Sequence, residues 1–170
     1  MNRKKLLSFA LLSLLSFPIS SHKLTNPPEF DFPTFEEMPK AHLPCHRMKR
    51  AIENQSKSLN IPKNILYGVA FYESRYQGEH HTSYNHAVVG GGAYGPMQIL
   101  LSTARSINKD QVTVHKLTND LEYNVATSAK LLHKLYKIYG DWKKVLGAYN
   151  TGRPIVNGYA IKVYNYKPSI

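Results

Sequence analysis

One glutamate stands where the hydrophobic pattern asks for a core residue. In ILYGVAFYESRY, residues 65–76, Leu66, Val69 and Ala70 fall at helical spacing on one apolar stripe, and the next position on that stripe is Glu73. Burying a lone carboxylate is costly unless it is paired or protonated. Glu73 is therefore either a satisfied structural group or an acid whose pKa is raised so that it keeps a proton. The other carboxylates after residue 45 are Glu53, Glu79, Asp110, Asp120, Glu122 and Asp141. Asp120 and Glu122 suit the first turn of a helix, and Asp141 directly precedes one. Glu79 alone is left near Glu73, in a polar loop, so the paired carboxylates that most glycosidases use are not evident.

The other pieces that could meet Glu73 are neutral. AYGPMQI (93–99) sets Gly95 before an expected helix start, where backbone can approach a ligand closely. GAYNTG (147–152) sets Tyr149 and Asn150 at a helix end. His80, His81 and His86 fit no standard metal spacing and read as solvated loop residues, so no metal and no cofactor is expected.

These residues need a helical frame. The pattern predicts helices over 47–59, over 62–74 with Pro62 in its first turn, and from Pro96 to Ile107. A long helix follows, capped by Asn119 with Glu122 as reciprocal partner and ended by Gly140. Its stripe is Leu121, Val125, Ala129, Leu132, Tyr136 and Tyr139. Shorter helices cover 142–149 and 155–166. No stretch alternates with period two, so the expected fold is all-α or mainly α.

The N-terminal part reads differently. Arg3, Lys4 and Lys5 precede the apolar run Leu6–Phe17, which is too short to span a bilayer, and small residues follow it. Residues 1–20 are expected to be a signal peptide, leaving no stable membrane anchor once cleaved. Residues 21–44 hold five prolines and four carboxylates and read as an extended linker or strap, with the folded domain over 45–170. Cys45 is the only cysteine, a free and buried thiol by expectation.

The formal charge is +11, or +8 without residues 1–20. That balance suits an anionic partner such as cell wall, acidic polysaccharide or a membrane surface. The basic residues are spread along the chain and form no nucleic-acid motif, so nucleic acid is not expected.

Taken in order, Glu73-Ser74, Gly95-Pro96-Met97-Gln98-Ile99, Asp120 with Asn124, Ala148-Tyr149-Asn150 and Tyr159 in GYAIKV resemble the lytic transglycosylase family, lysozyme-like enzymes that cut bacterial peptidoglycan. The likeness covers roughly residues 46–166. It implies a lysozyme-like single domain of the goose-type kind, Glu73 as the one catalytic acid/base, and Tyr149 and Tyr159 hydrogen-bonded around its carboxyl group. Ser74, Met97, Gln98 and Asn150 would line sugar subsites together with the two tyrosines. It further implies cleavage of the MurNAc-GlcNAc β-1,4 bond with closure of a 1,6-anhydro ring. The partner would be peptidoglycan glycan strands, the location periplasmic or extracellular, and the enzyme a monomer. In size the chain resembles the small members that accompany secretion or conjugation machinery. Pro96 departs from the leucine usual there, and the loop of residues 76–93 is longer than the common form. Two alternatives stand beside this reading: a goose-type muramidase using water, and a non-catalytic wall-binding module.

Overall fold

The computed structural model describes residues 44–77, 82–84 and 92–168. The signal and most of the strap expected over residues 1–44 lie outside them, as do Glu79, His80, His81 and His86. Among the described residues the elements are α1 (His46–Leu59), α2 (Lys63–Ser74), β1 (Thr82–Tyr84), β2 (Gly92–Tyr94), β3 (Ile99–Leu100), α3 (Leu101–Ile107), α4 (Val114–Asn119), α5 (Leu121–Tyr139), α6 (Trp142–Thr151) and α7 (Gly158–Tyr164). The domain is mainly α, as the helical spacing of its apolar residues requires.

α5 is the long central helix. It packs against α1 on one side and α6 on another, while α7 lies across both α6 and α2. Leu121, Val125, Ala129 and Leu132 are buried as its stripe predicts, whereas Tyr136 is 38% exposed. They join Leu66, Val69, Ala70, Phe71, Leu146 and Val163 in the main core. Burying aliphatic and aromatic side chains of this size stabilises by about 1.5–3 kcal/mol each. A second cluster of Tyr94, Ile99, Ala104, Val112 and Leu117 roots α3, α4 and the sheet.

Several local expectations change. The segment opening at Pro96 is not helical: residues 95–98 form a turn, Ile99–Leu100 is a strand, and the helix starts only at Leu101. Gly95 (φ +71°) and Gln98 (φ +49°) are left-handed, a conformation that cannot continue a right-handed helix. The sheet is antiparallel, ordered β1-β2-β3, with Tyr94 opposite both Thr82 and Ile99. Strands of two or three residues are too short to show an alternating pattern.

The cap of α5 is Asp120, whose side chain accepts from the Tyr123 amide at 2.9 Å. Asn119 instead closes α4, and Glu122 is drawn off by Arg47 at 2.6 Å. Two neighbouring residues can both cap, and the added helix α4 decides which one does. Finally, the last helix spans Gly158–Tyr164, capped by Asn157, and Cys45 is exposed at the mouth of α1 rather than buried.

Candidate active site

Glu73 sits in the last turn of α2. Beyond it Arg75 (φ +56°) and Tyr76 (φ +59°) turn the chain sharply, and their amides bond back to Phe71 and Ala70. Two successive non-glycine residues in the left-handed region are costly and persist only where surroundings over-determine them. Here the surroundings are aromatic. Tyr76 is buried, with its hydroxyl 2.6 Å from that of Tyr166, and Phe71 stacks on Tyr166 at 5.0 Å. The Arg75 guanidinium lies 4.4 Å over the Phe71 ring.

The glutamate receives one hydrogen bond among the described residues. Tyr159 Oη donates to Glu73 Oε1 at 2.6 Å. α7 can bring Tyr159 there because Gly68 leaves no Cβ between the helices. A Cβ on Gly68 would meet the Val163 carbonyl oxygen at 2.9 Å. The Tyr72 ring meets Tyr159 edge-on at 6.4 Å.

Burial pushes the Glu73 carboxyl up to about 7, against the opposing pull of the Tyr159 hydrogen bond, which favours the anion. Burial also drives the Tyr159 and Tyr149 hydroxyls up, and the Glu73 charge adds to it, so both remain protonated donors. With Oε1 accepting from Tyr159, Oε2 is the oxygen left to hold and deliver a proton.

The second wall is the turn of residues 95–98, tied to three helices. Ser74 Oγ donates to the Pro96 carbonyl at 2.9 Å from α2. Asn124 on α5 accepts from the Met97 amide at 3.0 Å and donates to the carbonyls of Tyr94 (2.8 Å) and Leu117 (3.1 Å). Tyr149 on α6 donates to the Met97 carbonyl at 2.7 Å. A Cβ on Gly95 would strike Asn124 Nδ2 at 2.4 Å, so both the backbone angle and the space demand glycine there.

The residues expected to line the site divide accordingly. Tyr159 reaches the carboxyl group. Tyr149, expected beside it as a donor, gives its proton to Met97 instead, since a phenol has only one to give. Ser74 and Met97 are buried at 4% and 0% exposure, so their side chains hold the turn and core rather than face a ligand. Gln98 Nε2 bonds Gly95 O at 2.8 Å, and the exposed Asn150 accepts from Asn157 at 3.1 Å, joining the end of α6 to the start of α7.

A cavity of about 430 Å³ is lined by Gln98, Tyr149 and Asn150 with Ile99, Leu131 and Leu135; Glu73 is not on its wall. Sequence reasoning named Asn124 only as part of the family likeness and not as a site residue, although an asparagine three residues after Leu121 on a core stripe is a signal of a buried polar tie. The Ser128 hydroxyl, also on α5, lies beside that of Tyr149, buried and without a well-formed hydrogen bond of its own.

The remaining described carboxylates are engaged elsewhere. Glu53 meets Tyr67 and Lys63, Asp110 meets Lys116 and Tyr123, Glu122 meets Arg47, and Asp120 and Asp141 cap helices. Among the described residues no group of three His, Cys, Asp or Glu side chains could hold a metal ion. The arrangement suits proton transfer by one carboxyl group.

Two comparisons with known proteins bear on this geometry. The chain matches the family model described as the transglycosylase SLT domain over residues 50–169. No curated protein matches it. The family match spans nearly all of the described fold, from α1 to past α7, and the chain belongs to the transglycosylase SLT domain family, a lysozyme-like fold whose family-level activity is lytic transglycosylation of peptidoglycan.

Proposed function

From that membership, we propose that this chain is an exported peptidoglycan lytic transglycosylase in which Glu73 alone is both acid and base. The observation that carries the reading is a buried carboxyl group pushed up to about 7 and hydrogen-bonded by a single tyrosine, with the other described carboxylates occupied. Breaking the β-1,4 bond between MurNAc and GlcNAc requires a proton on the departing oxygen. An acid half-protonated near neutral pH supplies it with little penalty. Proton loss strengthens the Tyr159 hydrogen bond, because a bond to a charged acceptor is about twice as strong as a neutral one. Tyr159 thus stabilises Glu73 most when the proton has left.

The N-acetyl group of the muramic sugar assists departure of the leaving group from its own face of the ring. Glu73, now an anion, then takes the proton from the C6 hydroxyl of that sugar, and O6 closes on C1 as a 1,6-anhydro ring. The acetamido oxygen leaves C1 in the same step, so Glu73 ends protonated again and no water is consumed. Gln98, Asn150 and the cavity beside Tyr149 are the surfaces on which adjoining sugars would rest. Residues 1–20 would direct the chain across the membrane to its substrate, in the periplasm or outside the cell.

Mass spectrometry of fragments released from purified peptidoglycan tests this. Fragments ending in 1,6-anhydromuramic acid are expected. Reducing muramic ends would mean that water is the acceptor and would return the chain to the muramidase reading.

A further inference from the structure

A second cavity, of about 540 Å³, lies at the other end of α2 and plays no part in the chemistry at Glu73. Ser56, Lys57, Asn60, Ile61, Pro62, Lys63, Tyr136 and Trp142 form its walls. Ten residues of helix separate Lys63 from Glu73, on the order of 15 Å. The chain's only tryptophan stacks on Tyr136 there, centroids 4.3 Å apart and planes 18° from parallel. Trp142 is packed against the core on one side, while Tyr136 remains 38% exposed, so the pair is a rigid ring surface open to solvent.

Its polar surroundings are one-sided. Lys57 and Lys63 line the cavity together with the rings. Two carboxylates lie close, and both are engaged. Asp141 accepts from the Lys143 and Lys144 amides at 2.7 and 3.2 Å. Glu53 accepts from Tyr67 and stands 4.0 Å from Lys63. Lys57 has no ion-pair partner among the described residues. The Ser56 hydroxyl is turned inward to the Ile61 carbonyl, leaving the Asn60 amide as the neutral group for ligand hydroxyls.

We infer that this cavity is a second anchoring site for the wall polymer itself: a saccharide ring face on Tyr136 and Trp142, and stem-peptide carboxylates on Lys57 and Lys63. The inference rests on peptidoglycan being the substrate. A polymer that alternates flat sugar rings with acidic peptides matches a cavity lined by rings and ammonium groups, and a strand long enough to fill the Glu73 site can extend to a second one. The enzyme would thereby stay on an insoluble wall between cuts.

Trp142 makes the test direct, because all tryptophan emission comes from this cavity. The full chain carrying Glu73→Gln is titrated with uncross-linked strands that retain their peptides, and with the same strands stripped of them. Saturable change in emission is expected with the first and weaker binding with the second. Lys57→Glu with Lys63→Glu should weaken binding about tenfold. Tyr136→Leu, which keeps apolar contact with Trp142, should weaken it as well.

In the chain with Glu73 intact, the lysine reversals should slow digestion of whole sacculi and leave turnover of a short soluble fragment unchanged. Emission that ignores the strands, or binding untouched by the reversals, would overturn the inference. So would saturation by a synthetic acidic peptide of residues 29–37 where strands have no effect. Failure of the Glu73 reading shows separately, as digests by the unmutated chain that lack anhydro ends.

Discussion

Glu73 and Lys63 stand near opposite ends of one helix, and their surroundings treat charge in opposite ways. At the Glu73 end an acid is buried among tyrosines with no counter-charge among the described residues, so the fold stores a proton near neutral pH. At the Lys63 end ammonium groups remain in water beside an exposed ring pair, and the nearest carboxylate is only loosely engaged at 4.0 Å. The first arrangement makes a reactive group at the expense of stability. The second costs the fold little and leaves charge available for long-range attraction.

The largest break in that contrast is Glu73→Gln. Cleavage should fall by at least about 10³-fold, since one residue carries both proton transfers. The same change should stabilise the fold at alkaline pH. The folded-state pKa, about 7, exceeds the unfolded value, so the folded chain binds more protons between roughly 4.5 and 7. Wild-type stability must then decline as pH rises through that window, by up to about 3 kcal/mol. Denaturant melts at pH 5 and pH 8 should show the decline in the wild type and not in the variant.

Next in size is Asn124→Ala. It strands the Met97 amide and two carbonyls in the interior and should cost about 2–4 kcal/mol by the same melts, with the turn of residues 95–98 loosened. A loss below 1 kcal/mol would mean that Ser74 and Tyr149 hold the turn without it.

Tyr159→Phe is subtler. The tyrosine favours the anion, so its loss should raise the Glu73 pKa further and move the alkaline limb of the pH–rate profile upward, while the maximal rate drops about tenfold. A downward shift would show that the Tyr159 hydrogen bond favours the protonated acid rather than the anion.

Smallest is Lys63→Ala. Its pairing with Glu53 is long and exposed, so stability should change by less than about 0.5 kcal/mol and short-fragment turnover not at all. A destabilisation rivalling that of Asn124→Ala would erase the distinction between the two ends.

Helix spacing alone made the fold class legible, because period-3.6 burial is a local property of the chain. α2 with Glu73 on its apolar stripe, the core face of α5 and the helix carrying Tyr149 could all be read that way. Glu73 itself stood out for the same reason, as a charge on a face made of Leu66, Val69 and Ala70.

Other features depended on residues far apart in sequence. Whether the proton of Tyr149 goes to Glu73 or to the Met97 carbonyl is decided where α6 meets the turn of residues 95–98, 52 positions away. Asn119 was the expected cap of α5, but it closes α4 and Asp120 takes the role. The turn at Pro96 passed for a helix start because nothing local reveals that Asn124 will take up the Met97 amide. The cavity of Lys57, Lys63, Tyr136 and Trp142 combines α1, α2, α5 and α6, and no single segment announces it. Sequence determined which residues are apolar, charged or conformationally free. Tertiary structure decided how few protons, with one donor for each hydroxyl, were shared among the acceptors brought within reach.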